Sequence, residues 1–95
     1  MKFLVPYDFT PTTEAALSYA KMLSDNFPGE IELLHIVDKE DKRAVAEKKL
    51  SEIANGLQLN AETTASCKVR VGNIFDDISK EANEGHAQLL VMGTH

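Results

Sequence analysis

Phe3-Leu4-Val5-Pro6-Tyr7-Asp8-Phe9-Thr10-Pro11 decides how this chain is read. An apolar triplet closed by proline reads as a short buried strand, because strands covered on both faces carry no polar alternation. Thr10-Pro11 then opens a helix, with threonine as the N-cap, proline at the first helical position and Glu14 in the first turn. Ala16, Leu17, Ala20, Leu23 and Phe27 continue one apolar stripe, and Asn26-Phe27-Pro28-Gly29 stops the helix.

The pattern repeats outward from there. Glu30 to Val37 places Ile31, Leu33, Leu34, Ile36 and Val37 on both faces, as a central parallel strand requires. Asp38 to Asp41 is a charged connection, and Ala46, Leu50, Ile53, Ala54 and Leu57 form a second helical stripe ending near Gly56. Ala65, Cys67, Val69 and Val71 alternate with Ser66, Lys68 and Arg70, which predicts a half-exposed strand at a sheet edge. Gly72-Asn73 caps a third helix carrying Ile74, Ile78 and Ala82, and Gly85 ends it. Leu89-Leu90-Val91-Met92 is a wholly apolar strand followed by Gly93.

Strand and helix alternate from end to end, which predicts an open parallel α/β sheet with right-handed crossovers. Ligands in such sheets sit beyond the carboxyl ends of the strands, where strand order reverses. Those ends are Pro6-Asp8, Val37-Asp38, Val71-Asn73 and Gly93-His95. The last strand reads as central although its outer cover is not in the sequence. The expectation is a fragment, or a strand covered by another chain, and self-association through it.

Ninety-five residues are expected to make a single domain, 1–95, with one modest core. The formal net charge of −5 argues against gripping nucleic acid, which needs Lys and Arg to neutralise phosphate. A lone cysteine, Cys67, and the lack of a CxxC pair suggest a reducing, cytoplasmic setting. The sequence offers no leader, no lipidation motif and no run near the ~20 apolar residues of a membrane span.

Asp8 follows a buried strand at the carboxyl end of the sheet. There it either meets a ribose hydroxyl or metal-bound phosphate, or assists Thr10 in capping the helix. Gly93 either lets backbone approach a ligand or makes a simple turn with Thr94 and His95. His35, between Leu34 and Ile36, reads as a packed, hydrogen-bonded core residue, and His86 as a turn residue. Cys67 reads as a small buried apolar side chain. The mixed run Lys39 to Arg43 reads as a solvated face, and Asp76-Asp77 as partners of a helix dipole. The histidines have no ligand spacing, so no metal site is expected. There is no GxGxxG, no GxxxxGK[ST] and no Gly-x-Ser-x-Gly elbow.

Taken in order, Phe3 to Thr10, Ala15-Ala16-Leu17 with Ala20, Leu33 to Val37, Val69 to Asn73 and Leu90 to His95 resemble the universal stress protein family. The resemblance covers essentially the whole chain. It implies an adenine-nucleotide alpha-hydrolase-like, Rossmann-like fold: a parallel sheet in order 3-2-1-4-5 with helices on both faces. This chain would supply 3-2-1-4, with the fifth strand, the fourth helix and all but the first glycine, Gly93, of a Gly-x2-Gly-x9-Gly-[Ser/Thr] loop missing. Many members bind ATP, with magnesium where it is bound, and others bind none. By resemblance Asp8 would contact the ribose–phosphate region, Pro6 would line that turn, the Ile36 backbone would face adenine, and Met92 and Gly93 would flank the phosphate loop. The family commonly forms homodimers through the fifth strand.

The resulting expectation is a stress-response module that binds an adenine nucleotide without turning it over, poorly so in this chain because the phosphate cradle is absent. An interaction domain working through homo- or hetero-oligomer contacts is the alternative. A weak ATPase or AMP-transferring enzyme is a third reading, although no nucleophile or acid–base pair stands out.

Overall fold

The computed structural model describes residues 1–93. Its elements run β1 (Lys2–Pro6), α1 (Pro11–Ser24), β2 (Glu30–Val37), a 3-10 turn (Glu40–Lys42), α2 (Arg43–Asn55), β3 (Thr64–Val71), α3 (Ile74–Glu84) and β4 (Leu89–Leu90). All strand pairs are parallel, in the order β3-β2-β1-β4, which is the expected order 3-2-1-4. β1 is flanked by strands on both sides, and Phe3, Leu4 and Val5 are fully buried.

Side-chain alternation divides the sheet between two layers. Phe3 and Val5 of β1, Ile31 and Leu33 of β2 and Val69 of β3 pack with Ala16, Leu17 and Ala20 of α1 and with Ala46, Leu50 and Ala54 of α2. On the opposite face Leu4 and Leu34 meet Ile78 of α3, with Ile36, Ala82 and Ala87 at the margin. The helices thus lie on both faces, unequally: two helices cover the larger core and one the smaller.

The local signals read from sequence act as expected at the helix starts. Thr10 caps α1 and forms a capping box with Thr13, Pro11 occupies the first turn, and Asn73 Oδ1 accepts the Phe75 and Asp76 N–H groups at the start of α3. Gly56 and Gly85 close α2 and α3. The run after β2 is a solvated face, with Lys42 paired to Asp38 at 2.8 Å and Arg43 to Glu40 at 3.0 Å.

Three expectations are corrected. Phe27 does not extend the α1 stripe: the helix ends at Ser24, whose buried hydroxyl donates to the Lys21 carbonyl at 2.7 Å, and Phe27 is exposed. Cys67 is exposed, because β3 is the outermost strand and the thiol lies beside Glu47, Lys48 and Ser51 of α2. The apolar run Leu89 to Met92 pairs as a strand only at Leu89–Leu90, and both leucines are exposed along the open side of β4; Val91 alone is buried, its N–H donating to the Leu4 carbonyl at 2.9 Å. Thr94 and His95, read as part of the loop after β4, lie outside the described residues. Among the described residues no helix is long and apolar enough to cross a membrane.

Candidate functional site

Strand order reverses at β1: the chain passes from β1 to β2 and β3 on one side, then returns to β4 on the other. A crevice at the carboxyl ends beside such a reversal is where an open α/β sheet takes its ligand. A cleft of about 150 Å³ lies there. Pro6, Tyr7, Asp8 and Thr13 line it from the β1–α1 turn, Leu34, His35 and Ile36 from β2, Ile74 and Ile78 from α3, and Met92 and Gly93 from the segment after β4. The five residues singled out from sequence, Pro6, Asp8, Ile36, Met92 and Gly93, are therefore brought around one cleft.

The turn after β1 is built to hold Asp8 in place. Tyr7 N–H donates to the Leu34 carbonyl at 2.7 Å, which extends the β1–β2 pairing one residue past Pro6. Phe9 then adopts a φ of 64°, a left-handed conformation that costs a bulky residue about 1–3 kcal/mol. Its ring is fixed on three sides: edge-on to Tyr7 at 5.3 Å, tilted on His35 at 4.9 Å, and under the Lys49 ammonium at 4.4 Å. Behind it, Asp8 Oδ1 accepts the Thr10 hydroxyl at 2.5 Å, the Thr10 N–H at 3.2 Å and the Thr13 hydroxyl at 3.0 Å. The capping role considered for Asp8 is thus realised. The carboxylate is nonetheless exposed and stands at the rim of the cleft.

His35 is tied to the same turn. Its Nδ1 lies 2.7 Å from the Tyr7 carbonyl. A carbonyl only accepts, so Nδ1 carries a proton and donates it to Tyr7. Burial pushes the Tyr7 phenol above its ordinary value, and Glu14 and Asp8 add to the effect, so Tyr7 stays neutral.

Opposite Asp8, Gly93 approaches the first turn of α1. A Cβ at this position would stand 2.6 Å from both the Thr12 carbonyl and its methyl group, so only glycine lets the chain after β4 lie there. The cleft floor is apolar, made by Leu34, Ile36, Ile74 and Ile78, and no Lys or Arg is among its lining residues. Among the described residues no three His, Cys, Asp or Glu side chains are placed to hold a metal.

Sequence reasoning did not single out Tyr7, Thr13, Leu34, His35, Ile74 and Ile78 as lining residues. Thr13 carried a signal, standing three residues after the N-cap where a capping box closes. The isoleucines read only as helix stripe, and which end of the sheet α3 would flank depends on tertiary packing.

The profile of the universal stress protein family matches residues 1–95. No curated protein sequence matches the chain. Among solved structures, protein Rv1636 of Mycobacterium tuberculosis H37Rv is similar at a TM-score of 0.72 and 18% identity, covering 99% of this chain and 71% of that one, which shows the fold. Protein MJ0577 is similar at a TM-score of 0.81 and 25% identity, covering 99% of this chain and 74% of the other. With residues 1–95 matched by the family profile and the sheet in the expected order, the chain belongs to the universal stress protein family.

Proposed function

We propose that the chain binds an adenine nucleotide in this cleft and acts by binding rather than by turnover. The convergence of Pro6, Asp8, Ile36, Met92 and Gly93 at the point where strand order reverses carries the reading. The apolar floor suits the flat face of a purine, the Ile36 backbone suits its polar edge, and the Asp8 carboxylate suits a ribose hydroxyl.

The same residues limit the grip. A full ligand pocket runs to roughly 300–1,000 Å³, and this cleft of about 150 Å³ has room for one ring system. No cationic side chain lines it, so the phosphates would extend over the surface, carrying any magnesium with them. The Asp8 carboxylate and Thr13 hydroxyl that line the cleft are engaged with each other and with Thr10 at the start of α1, which favours binding over turnover. A single exposed thiol, Cys67, fits a reducing compartment, and we place the protein in the cytoplasm.

Titration of adenosine and of ATP with magnesium, followed by amide shifts, tests the proposal. Saturable shifts confined to Tyr7–Asp8, Ile36 and Met92–Gly93 are expected, with ATP no more than a few-fold tighter than adenosine. No shift at millimolar concentrations of either ligand would remove it. Steady ATP turnover abolished by Asp8→Ala would instead identify an enzyme.

A further inference from the structure

The sheet face beneath α3 carries an ion network apart from the cleft. Lys2 comes from β1, Glu30 and Glu32 from β2, Lys68 and Arg70 from β3, and Asp77, Glu81 and Glu84 from α3. Lys2 Nζ lies 3.1 Å from Glu32 Oε1 and 3.9 Å from Glu30. Lys68 Nζ and Arg70 Nη1 reach Glu81 Oε1 at 3.0 and 2.9 Å. Arg70 also meets Asp77 at 3.0 Å and Glu84 at 3.6 Å.

The cations are distributed unevenly over the two most buried carboxyls, whose side chains are 8% and 5% exposed. Lys2 reaches Oε1 of Glu32, and Lys68 and Arg70 both reach Oε1 of Glu81. Glu32 Oε2 is buried and receives no N–H or O–H from any described residue, and the Glu81 carboxyl stands within hydrogen-bonding reach of Glu32. Two buried carboxyls facing one another repel when both are ionised, and the cations on their Oε1 atoms leave the facing Glu32 Oε2 without a donor, which favours a proton between them. One proton satisfies both, as a hydroxyl on one and an acceptor on the other. Burial, then the bond to Glu81, pushes Glu32 above the usual carboxylate range. Burial acts the same way on Glu81, but hydrogen bonds from Glu32, Lys68 and Arg70 outweigh it and hold Glu81 below that range.

We propose that Glu32 and Glu81 share one proton that fastens α3 to the sheet, so that α3 is docked while the proton is held and loosened when it is lost. The direction follows from linkage. The docked state binds a proton that the undocked state releases near the ordinary value of 4.5, so docking weakens as pH rises from there through the titration of Glu32. Among the described residues the fully buried apolar contact of α3 rests on Leu4, Leu34 and Ile78, so the polar contacts of its inner face weigh heavily in its docking. Ile74 and Ile78 wall the cleft, so losing the proton would also open its α3 side. That consequence for a nucleotide rests on the reading given above, whereas the docking itself is a property of the ligand-free protein.

The test therefore uses ligand-free protein. Carboxyl 13C shifts of glutamate give the titration of Glu32, and hydrogen exchange gives the protection of α3. Glu32 is expected to titrate above the ordinary carboxylate range, and α3 protection to fall by up to about tenfold per pH unit across that titration. Glu32→Gln, whose amide donates to Glu81 at any pH, is expected to hold α3 protection flat. Glu32 titrating in the ordinary range, α3 protection constant through its titration, or the same fall persisting in Glu32→Gln would each overturn the proposal. If Glu32→Gln does not fold, the wild-type titration decides alone.

Discussion

Arg70 and Asp77 join the outer strand to the start of α3. Arg70 Nε donates to Asp77 Oδ1 at 3.0 Å while the Asn73 N–H donates to Asp77 Oδ2 at 2.7 Å. One carboxylate thus satisfies a helix-end amide and a strand cation together. The Asn73 N–H, followed by Arg70, holds Asp77 below its ordinary value of 3.8. Stability from this contact is therefore complete above that value and is lost as pH falls through the lowered one. Asp77→Asn should be less stable at neutral pH and should show a flatter acid limb in urea midpoints measured against pH. Acid limbs of equal steepness would remove Asp77 from the account.

Capping and ligand contact can be separated at the β1–α1 turn. Thr10 caps α1 without lining the cleft, whereas Asp8 does both. Thr10→Ala should cost about 1 kcal/mol, which lowers Tm by about 4–8 °C in a domain of this size, and should weaken adenosine less than loss of the carboxylate does. Asp8→Ala should cost a similar amount and also weaken adenosine about tenfold or more, as loss of a charged hydrogen bond does. Equal adenosine binding by the two variants would deny Asp8 its ligand role.

Leu34 and Phe75 stand far apart in burial on the α3 side, at 1% and 83% exposure. Leu34→Ala should cost about 2–5 kcal/mol through a cavity beneath α3. Phe75→Ala should stay within about 0.5 kcal/mol. Chemical denaturation checks both, and a large loss at Phe75 would mean that its ring packs against something in solution.

β4 presents Leu89 and Leu90 at its open side, 40% and 41% exposed. An apolar strand edge tends to pair with another. Sedimentation velocity should show the mean mass of the wild type rising with concentration and that of Leu90→Lys staying at one chain. A wild type that stays monomeric at hundreds of micromolar would refute this self-association.

The frame of the molecule was legible because local chemistry and tertiary demand agree in it. Phe3-Leu4-Val5 had to be a strand covered on both faces, Thr10-Pro11 had to start a helix, and the alternation around Val69 had to lie at an edge. Asp8 and Gly93 were legible because strand ends in this topology face a common crevice. What stayed hidden depends on partners distant in sequence. Nothing in Phe9 announces a left-handed backbone, since the rings that stabilise it come from Tyr7 and His35. Cys67 alternates like a buried residue and is exposed because β3 is the outermost strand of the sheet. Glu32 carries no signal of its burial in the sequence, because that burial follows from where α3 comes to rest.

The pairing of β1 differs greatly between its two sides. Toward β2 the register runs over five residues, from Lys2 to Pro6, whereas toward β4 it covers two, Phe3 with Leu89 and Leu4 with Leu90. Local opening starts where the fewest buried contacts and backbone bonds must break. The β4 side is therefore the hinge of the sheet, and it carries Met92 and Gly93 at the cleft margin. A ligand entering the cleft would meet a rigid wall at β1 and β2 and a yielding one at β4. Its residence time would be set by how often two strand pairs fray.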